Sequence, residues 1–188
     1  MSQVSCRELC QPWLGRPGPV TYSAREVTLP AIWNFLEAVE DGNPVYWDQE
    51  TARASRFGRL IAPPQYLMAA CMGHWWAPDF VRQREQEAVQ AQGEDPLRRV
   101  LDIVRQCGYV VATNVTREEE YLDVWGPGDG RIKQQGRVVD VSEEKRTRVG
   151  RGVFITTEIE YRTEVGDRPI ARARNVLLLY RPDGQGSP

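Results

Sequence analysis

A chain of 188 residues with 41% hydrophobic content can build one domain around a buried core, with room for extensions but not for several independent domains. Its formal charge of −2 comes from 26 acidic and 24 basic residues mixed along the sequence, so no overall field draws it to nucleic acid or to an anionic membrane. The N-terminal stretch lacks a basic start, an apolar segment and a cleavage site, so a cytoplasmic chain is expected.

Residues 1–20 carry Pro12, Pro17, Pro19, Gly15 and Gly18 without periodicity and read as a tail draped over a domain of residues 21–182. Residues 183–188 read as a second tail. The first regular element expected is a helix from Pro30 to Glu40, with proline in its first turn and Ile32, Phe35, Leu36 and Val39 at helical spacing. Asp41-Gly42-Asn43-Pro44 stops it. Asp48 then reads as the N-cap of a short helix through Ala52 and Ala54.

Pro64 to Trp76 is apolar on nearly every side, which predicts a buried helix of roughly 20 Å serving as the axis of the domain. Residues 79–106 form a charged, helix-prone insert broken at Gly93 and Pro96. Its second half places Leu97, Val100, Leu101 and Val104 on one face, and its first half reads as a solvated helix or a partner-binding flap.

Beyond Tyr109 the period changes to two. Four strands are expected at Tyr109 to Leu122, Arg131 to Val141, Val153 to Thr163 and Pro169 to Tyr180, joined by glycine-rich turns. Helices first and strands later predict an α+β domain with helix packed on an antiparallel sheet. The glycines of 126–130 lack the flanking strand and helix of a phosphate loop and read as a turn. Cys6, Cys10, Cys71, Cys107 and the one histidine, His74, are too scattered to suggest a metal site, so none is expected.

Asp41-Gly42-Asn43-Pro44-Val45-Tyr46-Trp47-Asp48, followed by Ala52 and by Phe57-Gly58-Arg59-Leu60-Ile61-Ala62-Pro63-Pro64, resembles the signature of MaoC-like dehydratases, and more closely their FAS1-like N-terminal branch. The resemblance covers roughly residues 25 to 182. It implies the hotdog fold, a single domain whose central buried helix is wrapped by a curved antiparallel sheet. The stretch Lys145 to Thr157 also resembles the larger MaoC-like subunit of heteromeric enoyl-CoA hydratases of steroid side-chain degradation.

Hydrating an enoyl thioester requires a base for water, a proton for the α-carbon and donors for the enolate oxygen. In active relatives the resemblance assigns these to the Asp and His of a D-x-N-P-x-H box and to a backbone N–H at a later H-G pair. Here Asp41 keeps the aspartate position, but Tyr46 replaces the histidine, and a phenol of pKa about 10 is a poor base near neutrality. Pro63-Pro64 replaces the H-G pair and brings no N–H at that point.

The resemblance therefore implies a non-catalytic, substrate-binding subunit. A small MaoC-like partner would supply the working Asp and His, in a heterodimer or heterotetramer acting on a bulky, possibly steroid-derived, acyl-CoA. No catalytic residue is expected in this chain, with Asp41 a vestigial candidate. Asn43, Tyr46, Tyr66, Met68 and Trp75 are candidate substrate contacts, although Tyr66, Met68 and Trp75 equally suit a core. Asp41 and Asn43 equally suit turn-forming roles, and His74 suits a structural or interface role. Lys145, Arg146 and Arg148 are candidates for the coenzyme A phosphates, and no cofactor is expected beyond the coenzyme A of the substrate. Two other readings stay open: a non-enzymatic acyl-CoA binding or scaffolding module, and a thioesterase using Asp41 or Asp48.

Overall fold

The structure, a computed structural model, describes residues 4–182, so the tail expected at 183–188 lies outside the described residues. Its strands are β1 (Pro17–Tyr22), β2 (Val111–Tyr121), β3 (Ile132–Val141), β4 (Lys145–Thr147), β5 (Gly150–Thr163) and β6 (Pro169–Arg181). They form one antiparallel sheet in the order β1-β3-β5-β6-β2, with short β4 paired to the start of β5. The alternation read along β5 sets its two faces. Val153, Ile155 and Tyr161 point to the buried inner face, opposite Leu179, Leu177 and Ala171 of β6.

The helices are α1 (Cys6–Cys10), α2 (Leu29–Val39), α3 (Pro44–Trp47), α4 (Gln49–Ala54), α5 (Tyr66–Ala70), α6 (Asp79–Gln90) and α7 (Pro96–Gln106). Two apolar clusters fill the inner face. One gathers Ile32 and Leu36 of α2, Leu67 of α5 and Trp125 against Ile132, Tyr161 and Ile170; the other gathers Cys10, Val100 and Val104 against Val138, Val141, Ile155 and Leu179. Burying a Leu or Ile completely is worth about 1.5–3 kcal/mol, so these faces hold α2 and α7 to the sheet.

Several elements depart from the expectations. Of the tail expected at 1–20, the described residues 4–20 are structured: α1 carries a capping box between Ser5 and Glu8, and β1 pairs with β3 as an edge strand of the sheet. Within the stretch expected as a charged insert, α7 is a core helix, with Val100 and Val104 fully buried. The helix expected over 64–76 extends only from Tyr66 to Ala70 and buries Leu67 alone. Met68, Met72 and Trp76 are exposed, and Trp75 is 99% exposed. All-round apolarity signals burial only if protein lies on every side, and here the sheet covers one side. The fully buried helical faces that pack on the sheet are those of α2 and α7 rather than 64–76.

The two edges of the sheet differ. Along β1, the Gln92 side chain accepts from the Val20 N–H at 2.8 Å and donates to the Val20 carbonyl at 2.9 Å, so a side-chain amide takes the place of a neighbouring strand. Along β2 the residues are almost all exposed.

Candidate functional site

The D-x-N-P-x-Y box folds into a chain of local caps. α2 ends at Glu40 in the left-handed region (φ 55°), and the Asp41 N–H then donates to the Leu36 carbonyl at 3.0 Å. Asp41 Oδ1 accepts from the Asn43 N–H at 3.0 Å, and Asn43 Oδ1 accepts from the Val45 N–H at 3.3 Å, capping α3. Asp48 does the same for α4, accepting from the Thr51 N–H at 2.7 Å, and this lowers its pKa.

Two indoles fix the turn from the side. Trp47 Nε1 donates to the Asp41 carbonyl at 2.7 Å, Trp33 Nε1 donates to the Tyr46 carbonyl at 3.1 Å, and the rings stack at 6.1 Å. Tyr46 packs against the cluster around Leu36 and Trp125. Burial raises its phenol pKa, and the Asp41 charge pushes it the same way. The group in the histidine position is therefore a weaker acid than a free phenol and stays protonated near neutrality.

Pro63 and Pro64 stand at the mouth of α5, where Pro63 offers its carbonyl to the Tyr66 N–H at 3.0 Å and Pro64 its own to the Leu67 N–H at 3.1 Å. The Tyr66 ring stacks on Trp125 at 5.8 Å and tilts against Phe35 at 5.1 Å. Trp125 in turn accepts the Ala62 N–H on its carbonyl at 2.7 Å. The loop after Trp125 crosses close to residues 60–62: a Cβ on Gly126 would meet the Ile61 Cα at 3.0 Å, so glycine is needed there.

Sequence reasoning missed two charged constellations. Asp129, nearly buried in the 126–130 turn, accepts from Arg59 at 2.6 Å, from Arg168 at 3.2 Å and from the Gly126 N–H at 2.8 Å. It ties the box around Arg59 to the sheet, and only the aspartate in a glycine-rich turn hinted at it. On the inner face near the β2 edge, Arg117 pairs with Glu119 at 2.5 Å and donates to Asn175 Oδ1 and to the Tyr161 hydroxyl, each at 3.0 Å. Tyr121 donates to the other oxygen of Glu119. Desolvation dominates in raising the Tyr161 and Cys71 pKa values, the thiol to about 12, while the Arg117 charge opposes it at both. Period two puts Arg117, Glu119 and Tyr121 on one strand face, but nothing in the linear sequence brings Asn175, Tyr161 and Cys71 to them.

The other candidates scatter. His74 Nε2 lies 3.5 Å from Glu85 Oε1 of α6. Met68 and Trp75 project outward. Lys145, Arg146 and Arg148 sit exposed on the β4–β5 hairpin, Lys145 over the Phe154 ring at 5.5 Å. Cys6 contacts both Cys10 and Cys107 where α1 meets α7, and burial helps push the Cys107 thiol up to about 12. Among the described residues no cluster of three or more His, Cys, Asp or Glu is arranged to hold a metal.

An open depression of about 850 Å³ lies on the outer face of the sheet, lined by Glu118, Arg137, Glu158 and Arg174 among others, and a cavity of about 190 Å³ lies between β1 and the start of α7. Neither touches Asp41, Asn43, Tyr46, Tyr66, Met68 or Trp75. The larger is paved with residues that neutralise one another, Glu158 taking both Arg137 and Arg174, and offers little to an apolar acyl group.

Comparison with known proteins matches residues 18–172 to the model of the FAS1-like, dehydratase domain region. A "Probable enoyl-CoA hydratase alpha subunit" of Thermomonospora curvata is 33% identical over 97% of this chain and 54% of its own length. The "3-oxo-4,17-pregnadiene-20-carboxyl-CoA hydratase alpha subunit" of Mycobacterium tuberculosis is 31% identical over 86% of this chain and 47% of its own. This chain thus spans about half the length of these relatives. Among solved structures, a chain of the ChsH1-ChsH2 complex from Mycobacterium tuberculosis superposes with a TM-score of 0.78 at 25% identity, covering 96% of this chain and 98% of that one. The hotdog domain expected from the sequence is the fold adopted.

Proposed function

From the premise that this chain belongs to the FAS1-like dehydratase-region family of MaoC-like hotdog proteins, we propose that it is the substrate-binding, non-catalytic half of a heteromeric 2-enoyl-CoA hydratase. Its substrate would be a bulky acyl-CoA of the steroid side-chain type, as the names of its relatives suggest. The partner, a small MaoC-like subunit, contributes the Asp and His that orient water. A cytoplasmic setting is part of this proposal. Among the described residues no helix is long and apolar enough to cross a membrane.

The observation that carries this reading is the one-sided burial of the segment from Met68 to Phe80. Met68, Met72, Trp75, Trp76 and Phe80 leave large apolar surface in water, and such surface marks a binding face. A partner subunit and an acyl chain are what would cover it. The departures at Tyr46 and Pro63-Pro64 support a passive role at the D-x-N-P-x-Y corner: the phenol stays protonated, and the prolines present carbonyls in place of an N–H donor. Asn43, Tyr46 and Tyr66 shape the corner, and Met68 and Trp75 extend it outward. The exposed 145–148 hairpin is the place for the coenzyme A phosphates.

The test is reconstitution. The isolated chain should show negligible enoyl-CoA hydratase activity, and activity should appear on mixing with a small MaoC-like protein carrying an intact D-x-N-P-x-H box. Hydration by the isolated chain, lost in Asp41→Asn, would refute the reading. Acyl-CoA binding with no activity beside any partner would leave a non-enzymatic binding module, and release of free coenzyme A would leave a thioesterase.

A further inference from the structure

We propose that Arg146, Arg151 and Arg181 form a seat for a polyanion of the class of nucleotide diphosphates and bisphosphates. Strand register makes the seat. Arg146 of β4 stands directly opposite Arg151 of β5, and Arg151 stands directly opposite Arg181 of β6. Directly opposed residues share a face with Cβ atoms about 4.5–5.5 Å apart, so three arginine side chains leave the sheet from one row across three strands. The row lies on the face that carries Val153 and Leu179 two residues further along.

The register is firmly held. A Cβ on Gly150 would fall 2.1 Å from the Arg181 carbonyl oxygen, and one on Gly152 would fall 2.4 Å from that of Leu179, so β5 and β6 press together on both sides of Arg151. Thr147 closes the hairpin, its hydroxyl donating to the Gly150 carbonyl at 2.7 Å and accepting from the Val149 N–H at 3.3 Å.

Like charges placed directly opposite one another are unfavourable, and among the described residues Glu144 is the carboxylate set against them. Glu144 accepts from Arg151 at 3.1 Å, but its other oxygen is taken by the Tyr109 hydroxyl at 2.5 Å. Arg181 lies over the Tyr109 ring at 6.0 Å, and among the described residues neither it nor Arg146 nor Arg148 has a carboxylate at ion-pair distance. Lys145 falls on the opposite face, opposite Gly152, and is engaged with Phe154. Of the basic residues on this hairpin, Arg146 therefore belongs to the seat, Arg151 and Arg181 join it, and Lys145 does not. Guanidinium forks match the paired oxygens of phosphate groups, and a ligand carrying two phosphates can bridge the row.

The seat is separable from the Tyr46 corner. Tyr161, which shares the apolar cluster of Tyr46, lies ten residues along β5 from Arg151, roughly 33 Å at about 3.3 Å per residue. The identity of the ligand as a coenzyme A moiety rests on the function proposed above, whereas the anion seat does not.

Calorimetric titration of the full chain with inorganic pyrophosphate, adenosine 3′,5′-bisphosphate and coenzyme A, at low and at high salt, tests this. Binding should weaken with salt and fall roughly tenfold in each of Arg146→Gln, Arg151→Gln and Arg181→Gln, with Arg53→Gln as the unaffected control. Arg146→Gln, on the short outer strand, keeps the test valid if the other two variants fail to fold. Binding of pyrophosphate but not of coenzyme A would uphold the seat and remove coenzyme A as its ligand. Binding indifferent to all three arginines, or no binding of any probe at low salt, would overturn the seat.

Discussion

At the scale of single residues, the chemistry of the family's box has been converted into turn chemistry. Asp41 and Asn43 spend their side-chain acceptors on backbone N–H groups, and Tyr46 is half-buried near a carboxylate that discourages its ionisation. Tyr46→His should therefore not create activity in the isolated chain, because the prolines at the start of α5 still present no N–H at the required place. An enoyl-CoA hydratase assay of the purified variant checks this. Asp129 is different in kind: it is nearly buried between Arg59 and Arg168, and Asp129→Ala takes from Arg59 its carboxylate and from the Gly126 N–H its acceptor, while Arg168 keeps Asp123. The loss should be about 1–2 kcal/mol, with solvent screening the half-exposed arginines, and read as a lower urea midpoint. Glu144 gives a pH test. The Tyr109 hydroxyl, then Arg151 and Arg181, hold its carboxyl below the usual range, so its stabilisation is present above the unfolded pKa near 4.5 and is lost as pH falls through the folded value. Glu144→Gln should flatten the acid limb of the stability curve.

At the scale of elements, what could be read from the sequence was what depends on local period. α2 and α7 lie where Ile32, Leu36, Val100 and Val104 recur at helical spacing, and β5 has the faces its alternation gave. What could not be read depends on neighbours distant in sequence. β1 is a six-residue strand disguised by two prolines and a glycine, tolerated because it lies at an edge. The row Arg146–Arg151–Arg181 needs the register of two strand pairs, which no spacing in the sequence reveals. The segment 64–76 misled because apolarity states that a surface avoids water without stating which molecule covers it. Its sidedness makes a direct prediction: Leu67→Ala should cost about 2–5 kcal/mol in urea unfolding, whereas Met68→Ala, one residue on and facing out, should stay within about 0.5 kcal/mol.

At the scale of the whole molecule, the chain closes one side of its own core and leaves another for something else. The β1 edge is capped by Gln92 and the β2 edge is open, while α5 is covered by the sheet but bare toward Met72 and Trp75. This asymmetry, more than any missing residue, supports a half-chamber. The proposed function separates holding from reacting in the same way: the corner around Tyr46 and the arginine row would be binding surfaces, and the hydration chemistry would belong to the companion subunit.

The most direct measurement is the hydration rate of a reconstituted complex in which this chain carries Asp41→Asn and Tyr46→Phe together, set beside one in which the aspartate of the companion's D-x-N-P-x-H box is changed to asparagine. The account predicts a kcat within about twofold of the unmodified complex in the first case and a loss of at least a hundredfold in the second. A hundredfold loss from the changes in this chain, with the companion's aspartate dispensable, would contradict it.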